Sequence, residues 1–183
     1  MASSLLQKYD WLQMDFYEVL NSRRSIRSYE AAPVPQDKLK SILEAARVAP
    51  SAGNAQPWHF IVVSDQKVRE KIAMGCPWGR FIAEAPVLIV GCGDLKASRF
   101  YLQDTAVALE HLVLAATAMG LGTCWIGAFD EPEIRSLLEI PDHLKIVSLI
   151  SIGAPKTRSL SKSLRKSIGE IVSCEQYGTP LKF

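Results

Sequence analysis

Between Thr105 and Met119 the chain reads TAVALEHLVLAATAM, fifteen residues interrupted by only two ionisable side chains, Glu110 and His111. A helix written this way has apolar residues on nearly every face, the pattern of a helix buried all round. The two polar interruptions and the length keep it short of a membrane span. A chain of 183 residues does not easily cover such a helix alone. Apolar surface of this extent normally marks an interface, so a second chain is expected to share it.

The length suits one compact domain over residues 1–183, with a core large enough to be stable. Apolar residues make up 48% and charged residues 22%, an ordinary soluble composition. A net charge of +2 falls short of a dedicated nucleic-acid binder. The start, MASSLLQKYDWLQMD, has neither a basic leader nor a long apolar run, so no secretory signal is expected. Cys76, Cys92, Cys124 and Cys174 form no CxxC pair, and His59, His111 and His143 have no metal-ligand spacing. A metal site and a disulfide framework are therefore not expected, and a cytoplasmic home fits.

Phe16 to Arg23 reads as a short helix. Leu39, Ile42, Leu43 and Ala46 recur at i, i+3, i+4 and i+7, which predicts a helix from Gln36 to Val48 with Pro35 well placed to begin it. HFIVVS (59–64), PVLIVGC (86–92) and KIVSLISI (145–152) read as strands, and TCWIGAF (123–129) as a strand or extended loop. Further helices are predicted over 66–74, 98–119 and 130–139, the last opened by a capping box of Asp130 and Glu133. Strands separated by helices give an α/β or α+β layer architecture with few strands for the length.

Neither glycine pattern meets the requirement for a dinucleotide fingerprint. Gly91-Cys92-Gly93 follows a strand but Lys96 replaces the third glycine, and Gly120-Leu121-Gly122 follows a helix. A helix C-cap at Gly120 and strand-end turns elsewhere account for them. The charge is more telling. RRSIRSYE (23–30) puts three arginines into eight positions, and Lys156, Arg158, Lys162, Arg165 and Lys166 form a second cluster without an acid. By themselves these are either solvated helix ends or two arms converging on one phosphate, where guanidinium forks and a serine hydroxyl give charge-assisted hydrogen bonds. PSAGNAQPW (50–58) is either a plain polar loop or a rigid polar edge suited to a heterocycle.

RRSIRSYE, APSAGNAQPWHFIVV, GLGTCWIGAF and SIGAP with its basic tail, in this order across roughly 16–172, resemble the nitroreductase-like FMN-dependent oxidoreductase family. The resemblance implies an α+β fold with a central, mostly antiparallel sheet flanked by helices, assembled as an intertwined homodimer with FMN in two interfacial clefts. Arg23, Arg24, Ser25 and Arg27 would hold the phosphate and the adjoining ribityl or ring edge. Ser51 and Asn54, with Pro50 and Gln56, would come from the loop of the second chain. Trp125, Ile126 and Gly127 would line one ring face, and Arg165 and Lys162 would complete the phosphate site. The chain is short for the family, so the usual lid insertions are not expected.

The implied activity is NAD(P)H-dependent electron transfer through FMN to a small nitroaromatic, quinone or flavin acceptor by a ping-pong mechanism. No protein acid or base is assigned. The alternatives are a non-catalytic flavin-binding or storage protein, and a specialised reaction such as flavin fragmentation or reductive dehalogenation. No nucleic acid or membrane partner is expected.

Overall fold

The structure, a computed structural model, describes residues 15–157 and 164–182. Helix α1 (Phe16–Ser22) starts at a capping box in which Asp15 and Glu18 satisfy each other's backbone N–H groups. Helix α2 (Gln36–Arg47) follows the predicted stripe, burying Ile42 and Ala46, with Pro35 at its N-cap. After a 3₁₀ turn at Ala52–Asn54 come β1 (Trp58–Val63), α3 (Gln66–Met74) and β2 (Val87–Asp94). Then follow α4 (Tyr101–Ala118), β3 (Gly122–Ile126), α5 (Glu131–Leu137), β4 (Leu144–Gly153) and a single turn α6 (Ile168–Ile171). Only half of the expected box opens α5: the Asp130 carboxylate accepts from the Glu133 N–H at 3.0 Å.

The four strands form one antiparallel sheet in the order β1-β2-β4-β3. β1 and β3 are its edges, and the long strands β2 and β4 fill its centre. Gly91 and Gly93 sit inside β2 rather than in the turns expected of them. A Cβ on Gly91 would lie 2.7 Å from Leu109, and one on Gly93 2.6 Å from Tyr101, so both glycines let α4 lie close on the sheet. Gly120 does end α4, in the left-handed region at φ 76°.

Both faces of the sheet are covered, which makes the fold α+β. On one face Ile72, Phe81, Ile82 and Ile134 pack over Leu88, Val90 and Leu149. On the other, Ile42 and Ala46 of α2 meet Leu109, Leu112 and Val113 of α4 above Ile89, Ile150 and Ile152. α4 is not buried all round within its own chain. Leu109 and Leu112 are fully enclosed, but Leu102 is 52% and Val107 40% exposed. Sequence alone cannot divide such a helix between its own core and a second surface.

Candidate functional site

The arginine segment is welded to the β3 edge of the sheet. The Ile26 N–H donates to the Thr123 carbonyl at 2.8 Å, and Ser25 forms a parallel bridge with Thr123. This approach requires Gly122, because a Cβ there would sit 2.7 Å from the Ile26 side chain. Further along, Glu30 N–H donates to Ala154 O at 2.9 Å and Lys156 N–H to Ser28 O at 3.2 Å. From beneath, the buried Tyr29 hydroxyl bonds Ile26 O at 2.6 Å and the Ser151 hydroxyl at 2.7 Å.

The segment carries its charges outward on this frame. Arg24 Nη1 donates to Asn21 O and Arg23 O, the C-terminal carbonyls of α1 and its cap. Arg27 lies over the Phe81 ring at 6.0 Å. Burial pushes the Cys124 thiol up, while the Arg27 charge, the Ser25 hydroxyl and the Arg23 charge pull it down, so these groups all surround one point of β3. Among the described residues neither Arg23 nor Arg27 is ion-paired to a carboxylate. Half-buried Arg23 and its exposed neighbour Ser25 therefore form a donor set suited to an anionic group.

The second polar element, Ser51–Gln56, is a tightly wound loop. Gly53, Asn54 and Gln56 all have positive φ, of 57°, 55° and 47°. The two non-glycine residues cost of order 1 kcal/mol or more each in this region and persist only where the surroundings enforce them. The Ser51 hydroxyl accepts from Gln56 N–H at 2.9 Å, and Gln56 Nε2 donates to Asn54 O at 3.2 Å. Asn54 and Gln56 stay exposed, Ser51 half-buried, and Pro50 exposed at the loop's entrance.

The two elements lie at opposite corners. Trp58, just after the loop, pairs with Gly93 and through it with Lys145, whereas Thr123, beneath Ser25, pairs with Ile152. Three strand spacings across and seven residues along amount to a diagonal of about 27 Å. One chain does not bring them together.

β3 carries Trp125 and Ile126, and Gly127 follows directly after it. Trp125 turns toward α4, where its indole N–H donates to Glu110 at 3.2 Å. The Ile126 side chain is 7% exposed and belongs to the opposite core, so strand alternation leaves only its backbone for a ring. Gly127 is exposed, with no atom within 4 Å of where its Cβ would be. Arg165 is exposed on the C-terminal segment and donates to its neighbour Leu164 O at 2.9 Å. Lys162 lies outside the described residues. Among these residues no cluster of ligands could hold a metal, and no helix is long and apolar enough to cross a membrane.

The fold is that of a Clostridium difficile protein solved as an FMN-dependent nitroreductase: 29% identity, a TM-score of 0.80, and coverage of 87% of this chain and 98% of that one. It is the nitroreductase fold. The nitroreductase family profile matches residues 20–76 and 73–154, and the chain belongs to that family. It is 40% identical over 150 residues to a Methanothermobacter thermautotrophicus protein provisionally named NADH dehydrogenase/NAD(P)H nitroreductase, covering 78% of each chain. It is 35% identical over 169 residues to the FMN reductase [NAD(P)H] of Bacillus subtilis, covering 78% of this chain and 67% of the relative.

Proposed function

We propose that the chain is a single FMN-binding domain that works as a homodimer and passes electrons from NAD(P)H to a small organic acceptor. FMN dependence and NAD(P)H oxidoreductase activity come with family membership; the acceptor class (nitroaromatic, quinone or flavin) and the alternation of donor and acceptor in one slot are our reading. The observation that carries it is the diagonal. Arg23 and Arg27, without carboxylate partners among the described residues, sit at one corner, and the enforced Ser51–Gln56 loop sits at the other. Two copies related by a two-fold axis bring each corner of one against the opposite corner of the other, completing two equivalent sites.

When bound, FMN supplies the capacity to accept a hydride and release electrons. The chain supplies position and field. Arg23, Arg24, Ser25 and Arg27 would hold the phosphate by charge-assisted hydrogen bonds. Ser51, Asn54 and Gln56 of the second copy would fix the ring edge, because their dihedrals are set before any ligand arrives. Gly127, just past the end of β3, has no side chain, so its backbone can approach a flat ring closely. The partly exposed α4 residues Leu102 and Val107 would be covered in the dimer.

Anaerobic mixing of the purified yellow protein with NADH or NADPH tests this reading. Rapid bleaching of the flavin, followed by recovery on adding a quinone or nitroaromatic, is expected. Flavin that binds but is not bleached by either nucleotide would instead make the chain a binding or storage protein.

A further inference from the structure

We infer that Asp104 positions the flavin-binding loop: its buried carboxylate is the anchor that holds the loop's backbone ready for FMN. Asp104 lies in the first turn of α4 and is only 8% exposed. Its Oδ1 accepts from the Ala52 N–H at 3.2 Å, and its Oδ2 accepts from the Ser98 hydroxyl at 3.4 Å. A carboxylate fits because both neighbours are donors and neither contact asks it to give a proton. Its charge is also favoured at the N-terminal end of a helix, and α4 has no side-chain cap of its own at Phe100.

The grip falls where the loop needs it. Ala52 begins the 3₁₀ turn, and the three positive dihedrals follow it within four residues. At the other end of the loop, Asp94 N–H donates to the Pro57 carbonyl at 2.7 Å. Ser98 follows in the same turn, with its N–H on Asp94 O at 3.4 Å and its hydroxyl on Asp104. Asp104 therefore ties the loop's start to the turn that holds its end. Between these fixed points Asn54 and Gln56 have little freedom left, and the Ser51 hydroxyl is tied to them through the Gln56 N–H. Asp104 itself is buried and acts through Ala52. Removing its acceptor would release the loop, and the ordering cost would then fall on FMN binding.

This rests on the proposed role of Ser51 and Asn54, so the experiment separates the two. FMN affinity is measured by fluorescence quenching for Asp104→Ala, Asp104→Asn, and a Ser51→Ala/Asn54→Ala double variant, with urea midpoints of the apoproteins alongside. Asp104→Ala is expected to bind FMN about tenfold more weakly, the loss of one charged hydrogen bond's worth of preorganisation. Asp104→Asn keeps Oδ1 for Ala52 and is expected to recover most of the affinity, whereas general destabilisation would show in the urea midpoint without tracking affinity. Wild-type affinity in Asp104→Ala, with the double variant weakened, overturns the inference and leaves the site standing. Wild-type affinity in all three overturns the loop's role itself. Should Asp104→Ala not fold, hydrogen exchange of the wild-type apoprotein decides: a slowly exchanging Ala52 amide supports the anchor, and a freely exchanging one overturns it.

Discussion

Tyr29 and Ser151, 122 positions apart in the chain, share a hydroxyl–hydroxyl hydrogen bond of 2.7 Å inside the protein core. The same tyrosine hydroxyl donates to the Ile26 carbonyl at 2.6 Å. An aromatic side chain at the end of the arginine segment thus returns beneath it and fastens it to β4.

Tyr29→Phe should therefore do two things at once. It strands a buried serine hydroxyl and a carbonyl, at a cost of about 1–3 kcal/mol in unfolding free energy. It also loosens the segment and weakens FMN binding severalfold. Urea denaturation and an FMN titration measure the two effects. A variant with wild-type values in both would reduce the tyrosine to space filling.

The arginines should act on binding far more than on folding. Arg23→Ala or Arg24→Ala is expected to lower FMN affinity ten- to a hundredfold, about 1.5–3 kcal/mol for each charged hydrogen bond lost. Circular dichroism should stay near native. If both variants bind FMN normally, the charges are no more than a solvated edge.

Much of the fold is legible in the sequence, because its signals are local. Leu39, Ile42, Leu43 and Ala46 write out the buried face of α2, and each strand shows as a short apolar run. What is not legible shares a different cause. Gly91 and Gly93 resemble turn residues but make room for Leu109 and Tyr101 of α4, a contact no local pattern encodes. The resemblance sets Ile126 beside the ring with Trp125, and strand alternation, sending its side chain to the opposite core, leaves only its backbone for that role. Asp104 carries no local signal because its partner is the N–H of Ala52, a main-chain group that leaves no trace in residue type. The resemblance carries Arg165 and Lys162 to the phosphate; Arg165 donates to the neighbouring Leu164 carbonyl, and Lys162 lies outside the described residues.

The apolar run of α4 has a buried face and an exposed one, which mutation can tell apart. Leu112 is fully buried in its own chain and Val107 is 40% exposed. Leu112→Asp should unfold the protein, since an unpaired charge in a packed core costs several kcal/mol. Val107→Asp should leave the chain folded but split the dimer and release FMN. Light scattering with circular dichroism distinguishes the cases, and a folded Val107→Asp dimer that keeps its flavin would remove this face from the interface.

Alkaline pH should destabilise the protein from about 9 upward. Burial pushes the thiols of Cys76 and Cys92 up to about 11 from an ordinary value of 9.0. Between those values the unfolded chain has lost protons that the folded chain keeps, so the unfolded state binds fewer and stability falls as pH rises. Below about pH 9 their contribution is complete. Burial also raises Tyr29 above the ordinary tyrosine value of 10.0, and this adds to the decline beyond that pH. Urea midpoints across this range should drop for the wild type and drop less for a Cys76→Ala/Cys92→Ala variant. Equal slopes would contradict the assignment.

The eighteen residues of α4 form a rod of about 27 Å, with Asp104 near one end and the Gly122 contact with Ile26 beyond the other. If each cleft borrows one end of the rod from each copy, a lesion in either end spoils both clefts of a pure dimer. Mixed dimers behave otherwise. Combining an Arg24→Ala chain with an Asn54→Ala chain puts both lesions in one cleft and leaves the other intact. Two preparations that each bind FMN poorly should regain, after unfolding and refolding together, one sound site in every hybrid, about a quarter of all sites at equal mixing if chains pair at random. A mixture no better than its parts would show that each chain keeps its flavin to itself.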